Sequence, residues 1–223
     1  MAPAVVAAPR IALLLIDIQQ GFNDPSYTGR STPGFEANVT KLLKAFRTAE
    51  SAHVIHVCHH SRAETAPLHP SRPGVQFMEY ATPQPGEIVR SKDVNSAFVG
   101  TDLEHIIRGL ELERLVVVGL TTGHCVSTSV RMASNLRIVD HPHGGVAAGQ
   151  NPRGEIIVVS DATAMYSRSY AGKEYDGDTL HTINLATLDD EFCVVRSTEE
   201  VLRLLNGAHS SLPTPYPDSA TPH

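Results

Sequence analysis

Six short apolar runs punctuate the chain: "RIALLLIDI" from residue 10, "HVIHVC" from 53, "EIVRS" from 87, "RLVVVGL" from 114, "EIIVVSDA" from 155 and "EFCVVRS" from 191. Most are continuous rather than alternating, the pattern of strands covered on both faces. Between them the apolar positions recur at helical spacing. In "GFEANVTKLLKAFRTAESA", Phe35, Val39, Leu42, Leu43 and Phe46 fall on one stripe, which predicts an amphipathic helix. "TDLEHIIRGLEL" predicts a helix capped by Thr101, with Glu104 three residues on; "STEEVLRLL" repeats the arrangement with Ser197 and Glu200. Both have the form of a capping box. "CVSTSVRMASN" and "YDGDTLHTINLATL" supply two further helical patterns. Alternation of strand and helix predicts an α/β fold, a single three-layer α/β/α domain with a parallel sheet wrapped by helices.

The stretches between these elements set the domain boundaries. Residues 60–87 hold Pro67, Pro70, Pro73, Pro83 and Pro85, too many for a regular element, and "VDHPHGGVAAGQNPRG" at 139–154 separates a helix from the next strand. Residues 1–9 are expected to be a flexible tail, 10–206 the folded domain, and the Pro-rich 207–223 a mobile tail or an arm over a neighbour. The chain has 223 residues, 41% hydrophobic and 19% charged, which is an ordinary globular composition. A net charge of −6 with no basic run argues against a nucleic-acid partner, because phosphate binding needs clustered Lys and Arg. No apolar run reaches the ~20 residues of a membrane span, and the first residues lack the basic start of an export signal. Three Cys do not make a disulfide framework, so a cytoplasmic location is expected. "GLTTGHC" has neither the glycine spacing nor the lysine of a phosphate cradle, and no organic cofactor is expected.

In a parallel sheet the ligand crevice lies beyond the carboxyl ends of the strands. The residues just past the expected strands are Asp17, the pair His59 and His60, Lys92, the 119–125 turn and Asp161. An acid, an amine and a thiol thus fall at one edge. Cys125, in "LVVVGLTTGHCVSTSVRMASN", sits at turn and helix-start positions. A helix N-terminus, a nearby Lys92 and a nearby Asp17 would each favour a reactive thiolate, so the sulfur is expected to be held as an anion. The alternative is a small buried apolar residue, the reading that suits Cys58 and Cys193 in mid-strand. Asp17 closes the apolar "IALLLI" directly, where a carboxylate either caps a turn or requires a cation, for which Lys92 is the natural candidate.

Four motifs in order, "LLLIDIQQGF", "SKDVNSAFVGTDLE", "VVVGLTTGHCVSTSVRMASNL" and "VVSDATAMY", closely resemble the isochorismatase-like cysteine hydrolases, over about residues 10–205. The resemblance implies a Rossmann-like, six-stranded parallel sheet and an Asp–Lys–Cys triad, with Asp17 as base, Lys92 as orienting cation and Cys125 as nucleophile. It further implies a cis peptide at Leu120–Thr121 and an oxyanion hole from the amides of Thr121 and Cys125. The implied reaction is hydrolysis of a C–N bond in a small amide or ureide through a thioester. Relatives of this kind commonly assemble as dimers or tetramers, so a homodimer or homotetramer is expected. The residues Phe22, His60, Asn95, Phe98 and His124 are candidates for the substrate wall, His59 after them, with plain packing as the alternative. Two other functions stand beside this one: isochorismate pyruvate-hydrolysis, which cleaves a vinyl ether, and an inactive oligomeric scaffold.

The chain departs from the family pattern in three places. Gly123 stands where many relatives have Asp or Asn. The 139–154 insertion is longer than the usual turn and is a candidate rim of the pocket or contact with a neighbouring subunit. "HVCHHSRAE" lacks the Asp of the Asp-x-His arrangement that metal-dependent relatives carry. Imidazoles suit zinc, but His59, His60 and His69 converge only if the Pro-rich loop folds back, so no metal is expected.

Overall fold

The computed structural model describes residues 10–140 and 154–206; the expected tails at 1–9 and 207–223, and positions 141–153 of the insertion, lie outside the described residues. Five strands follow the apolar runs closely: β1 Ile11–Ile16, β2 Ala52–His59, β3 Ile88–Lys92, β4 Arg114–Leu120 and β5 Glu155–Ala164. A short antiparallel hairpin, β6 Arg168–Tyr170 with β7 Lys173–Tyr175, was not legible in the apolar pattern, because its residues are almost all exposed. The last run keeps only Val194–Arg196 as β8. The six long-range strands form one parallel sheet in the order β3-β2-β1-β4-β5-β8.

Alternate residues of β1 show why these runs are continuous. Ile11, Leu13 and Leu15 join one core with Phe35, Val39, Leu42, Leu43 and Phe46 of α1 (Phe35–Thr48) and Val201 of α5 (Thr198–Leu205). Ala12, Leu14 and Ile16 join the other core, with Leu103 and Ile107 of α2 (Leu103–Gly109) and Val130 and Ala133 of α3 (Ser127–Asn135). Both faces of the central strand are therefore dry, and the three layers follow. The fifth helix, α4 (Gly177–Ala186), packs over the turn that precedes α3.

Capping divides the two predicted boxes. Ser197 and Glu200 form one: the Ser197 hydroxyl accepts from Glu200 N–H while the Glu200 carboxylate accepts from Ser197 N–H. Thr101 does not. Its hydroxyl donates to Ala97 O at 2.6 Å, and the cap position falls on Asp102, whose carboxylate is drawn away by Arg90. Asp161 also departs from its expected place past a strand end. It lies within β5, half-buried, and its Oδ1 accepts from Thr198 N–H and Oγ1–H, both at 2.8 Å, so it caps the start of α5 and takes no part in the site.

Candidate active site

The sheet order reverses direction between β1 and β4, so the crevice of an open α/β sheet opens at their carboxyl ends. Asp17 follows β1 and the 121–125 turn follows β4, which puts them on either side of that crevice. Gly119 lets the strands close up there: its φ is 127°, and a Cβ would stand 2.1 Å from Ile16 O. Asp17 itself has φ 54°, a left-handed conformation in which its N–H donates to Val57 O and its own carbonyl accepts from Gln19 N–H. Asp tolerates this region better than bulkier residues, at some cost in strain.

Lys92 ends β3, pairs in register with His59 at the end of β2, and crosses toward Asp17. Its Nζ donates to Asp17 Oδ2 at 2.7 Å, to Cys125 Sγ at 3.2 Å, and meets His59 Nδ1 at 3.1 Å. Both side chains of the Asp17–Lys92 pair are fully buried, and the Cys125 residue is 8% exposed. The structure thus brings Asp17, Lys92 and Cys125 together. Asp17 Oδ1 is buried with no hydrogen-bond partner among the described residues, while an Asp17 oxygen, a His59 ring nitrogen and Cys125 Sγ all lie within 4.8 Å of one another.

Those three residues have the donor types of a metal site. The ammonium of Lys92, however, already hydrogen-bonds to a donor atom of each, which is the position from which a bound cation would meet them. The residues fit a protein cation better than a metal ion.

Electrostatics differ from the sequence expectation. Burial pushes the Cys125 thiol up to about 12, reinforced by the Asp17 charge and only partly offset by Lys92. Burial thus favours the thiol form of the resting sulfur over the anion expected from a helix N-terminus. The helix itself begins later: one wide π turn, Thr122–Val126, carries Cys125, and α3 starts at Ser127. Burial also raises Asp17 above the ordinary carboxylate value, against the pull of Lys92 and the thiol, which makes it a stronger base.

The turn is held at several points. The Leu120–Thr121 peptide is cis. Thr121 O accepts from the N–H groups of His124 and Val126, the neighbours of Cys125. Thr122 Oγ1 meets His181 Nδ1 at 2.8 Å, and His181 Nε2 donates to Ser160 O at 3.0 Å, so a buried histidine of α4 ties the turn to β5. Gly123 is explained by α4 as well. Asn184 occupies the space in front of it, and a Cβ there would lie 2.9 Å from Asn184 Nδ2.

The candidate wall residues divide. Asn95 is exposed, yet its Nδ2 comes within 3.8 Å of Cys125 Sγ. Phe98 is buried in the same core cluster as Cys125. Phe22 is buried in an aromatic group with Tyr27 and Tyr166, at ring separations of 4.9 and 6.0 Å. His124 is exposed beside the thiol. His60 contacts Cys58 Sγ at 3.6 Å, and it is His59, the less favoured of the pair, that reaches the centre. Gln19 was missed. Fully buried, it accepts from His59 N–H at 2.7 Å and donates to His59 O at 3.1 Å and Val75 O at 2.8 Å, fixing the end of β2. Its signal was a polar residue two positions after the acid that closes the apolar run in "LLLIDIQQGF". The insertion is rooted at the other end of the sheet, where Gly154 N–H donates to Val139 O and Glu155 N–H to Glu113 O. A cavity of about 260 Å³, lined by Phe46, Arg47, His53 and Glu87, also lies away from the centre, by the start of β2 and β3.

A sequence model of the isochorismatase domain matches residues 11–200. The chain belongs to the isochorismatase family of hydrolases. YrdC of Bacillus subtilis, an uncharacterized isochorismatase family protein, is 34% identical over 192 residues, 86% of this chain and 94% of YrdC. A cysteine hydrolase from Pseudomonas syringae pv. phaseolicola shares the fold with a TM-score of 0.75 at 25% identity, over 94% of this chain and 100% of that one. Maleamate amidohydrolase of Pseudomonas putida is 28% identical over 136 residues, 53% of this chain and 62% of that enzyme. Among the described residues, no helix of this family member is long and apolar enough to cross a membrane.

Proposed function

We propose that this isochorismatase-family hydrolase is a cysteine amidohydrolase that cleaves the C–N bond of a small amide or ureide through a thioester on Cys125. The observation that carries the reading is the buried Lys92 ammonium, 2.7 Å from a carboxylate and 3.2 Å from a thiol in a nearly closed centre. The name of the Pseudomonas putida relative, an amidohydrolase, supports the same bond type.

Asp17 takes the S–H proton as sulfur attacks the carbonyl carbon. The N–H groups of Thr121 and Cys125 receive the charge that develops on oxygen, and loss of one such donor costs about 3–4 kcal/mol in barrier. The C–N bond breaks and the nitrogen leaves with the proton that Asp17 carried. Water then attacks the thioester, Asp17 takes its proton, and the C–S bond breaks with return of that proton to sulfur. Lys92 keeps the acid and the sulfur in register throughout. Asn95, whose Nδ2 comes within 3.8 Å of the sulfur, is the wall residue best placed to meet the substrate, with His124, Phe22 and Phe98 as further candidates.

The test is a release assay on small amides and ureides read as ammonia, with isochorismate included and read as pyruvate. Rapid quench and mass spectrometry should find an acyl group on Cys125, and Cys125→Ala should lose turnover while melting like the parent. Pyruvate release without an acyl adduct would assign the vinyl-ether reaction instead, and no turnover of any candidate with no acyl adduct on Cys125 would point to a scaffold.

A further inference from the structure

The triad leaves one contact unused. Lys92 has three N–H bonds to give, and the third goes to neither the acid nor the sulfur but to His59 Nδ1 at 3.1 Å. An ammonium has no acceptor lone pair, so His59 Nδ1 must be the acceptor and the ring proton must sit on Nε2. The placement follows from the fold. His59 and Lys92 are register partners on adjacent parallel strands, so their side chains share a face of the sheet. The backbone of His59 is gripped on both its N–H and its C=O by the buried amide of Gln19. Unlike Asp17, Lys92 and Cys125, His59 is only half-buried.

We infer that His59 is a fourth member of this centre, a positioning residue whose Nδ1 takes the third Lys92 N–H and holds the ammonium between Asp17 and Cys125. A buried ammonium with an unmet donor would tilt toward whatever acceptor remained, and a sub-ångström tilt lengthens one of its two productive contacts. His59 removes that freedom. Burial first, and then the Lys92 charge, hold the ring below the usual imidazole value, which keeps it neutral and able to accept. Asp17, Asp93 and His60 also act on the ring, the two acids opposing that lowering, and the Cys125 sulfur lies within 4.8 Å of a ring nitrogen. The inference rests on the amidohydrolase reading only for the identity of the reaction; the arrangement it describes is independent of the substrate.

Two variants separate its parts. In His59→Asn the amide oxygen falls where Nδ1 was and still accepts; His59→Leu has similar bulk and no acceptor. The probe is iodoacetamide, with Cys125 alkylation followed by mass spectrometry from pH 6 to 10. His59→Leu should slow alkylation about tenfold at each pH, equivalent to one pKa unit in the thiol, and His59→Asn should recover most of that loss. Equal rates in the parent and His59→Leu, or equal damage in both folded variants, would overturn the inference. Should His59→Leu fail to fold, nitrogen NMR of the parent decides, with the His59 signal assigned by its loss in His59→Asn. Nδ1 must be unprotonated and Nε2 protonated, and the opposite tautomer rejects the proposal. An intact alkylation pattern with no amide turned over would refute the amidohydrolase reading and leave this one standing.

Discussion

Replacing Lys92 with Met keeps the aliphatic stem and deletes the ammonium from a fully buried pair. Asp17 Oδ2 then loses its 2.7 Å contact, and Oδ1 had none to lose among the described residues. A carboxylate so placed either stays charged and unpaired, at about 3–5 kcal/mol, or takes up a proton. Protonating a carboxyl of ordinary pKa ~3.9 at pH 7 costs about 4 kcal/mol, from ~1.4 kcal/mol per unit over ~3 units. The cheaper route sets the ceiling, so Lys92→Met should lose up to about 4 kcal/mol at pH 7 and ~1.5 kcal/mol at pH 5. Relief of the buried ammonium lowers both figures equally and leaves the slope. The sign follows from the raised Asp17 value, which the variant raises further. Between the unfolded and folded values the native state binds more protons than the unfolded chain, so stability rises as pH falls through that window. Urea unfolding of both proteins at pH 5, 6 and 7 measures the difference. A gap that does not narrow on acidification would refute the assignment of an uncompensated charge to Asp17.

Three further outcomes follow from individual contacts. Gly123→Ala brings a Cβ to 2.9 Å from Asn184 Nδ2 and should cost about 1 kcal/mol, while Asn184→Ala in the same chain should recover much of it; additive effects in a thermal-melt cycle would show that the two sites do not touch. Asp161→Ala removes the acceptor of two 2.8 Å bonds at the start of α5 and should cost roughly 1 kcal/mol in stability with turnover per folded molecule unchanged, whereas a loss of turnover would return Asp161 to the active centre. With the Cys125 thiol pushed up to about 12, iodoacetamide alkylation of the parent should climb about tenfold per pH unit from 7 to 10. A plateau below pH 8 would mean that the resting sulfur is a thiolate after all.

Much of the fold was legible because its signals are local. Continuous apolar runs give covered strands, and the Phe35–Phe46 stripe gives α1. The Asp17–Lys92 pairing was legible for an energetic reason, since an acid closing an apolar strand needs a cation. What failed depends on partners distant in sequence. Register decides that His59 rather than His60 shares a face with Lys92, and register is not visible within one strand. The β4–β5 pairing shifts between Val117 and Gly119, and β5 runs on to Ala164, so Asp161 ends up inside a strand expected to stop near it. Thr101 and Glu104 had the right spacing for a cap, yet the Arg90 guanidinium, from another strand, claims Asp102 and the Thr101 hydroxyl turns to Ala97.

Burial of Cys125 changes the chemistry that the same residues can perform. Asp17 and Lys92 together are neutral, so a resting thiolate would leave one net negative charge in a centre where the pair is fully buried and the sulfur nearly so. Desolvation penalises that anion, and one cation shared with a carboxylate does not repay it. Keeping the proton on sulfur balances the charges until an acyl group arrives. In the proposed reaction, transfer to Asp17, whose affinity for a proton burial has raised, would then leave an ammonium, a neutral acid and an anion that moves at once from sulfur to the carbonyl oxygen. Negative charge would on that proposal be displaced toward the amides of the 121–125 turn rather than created in the dry interior. A site that works as proposed would react slowly with water or a stray electrophile and faster with a carbonyl whose oxygen those amides can receive, and that selectivity would come from the burial that the sequence alone did not reveal.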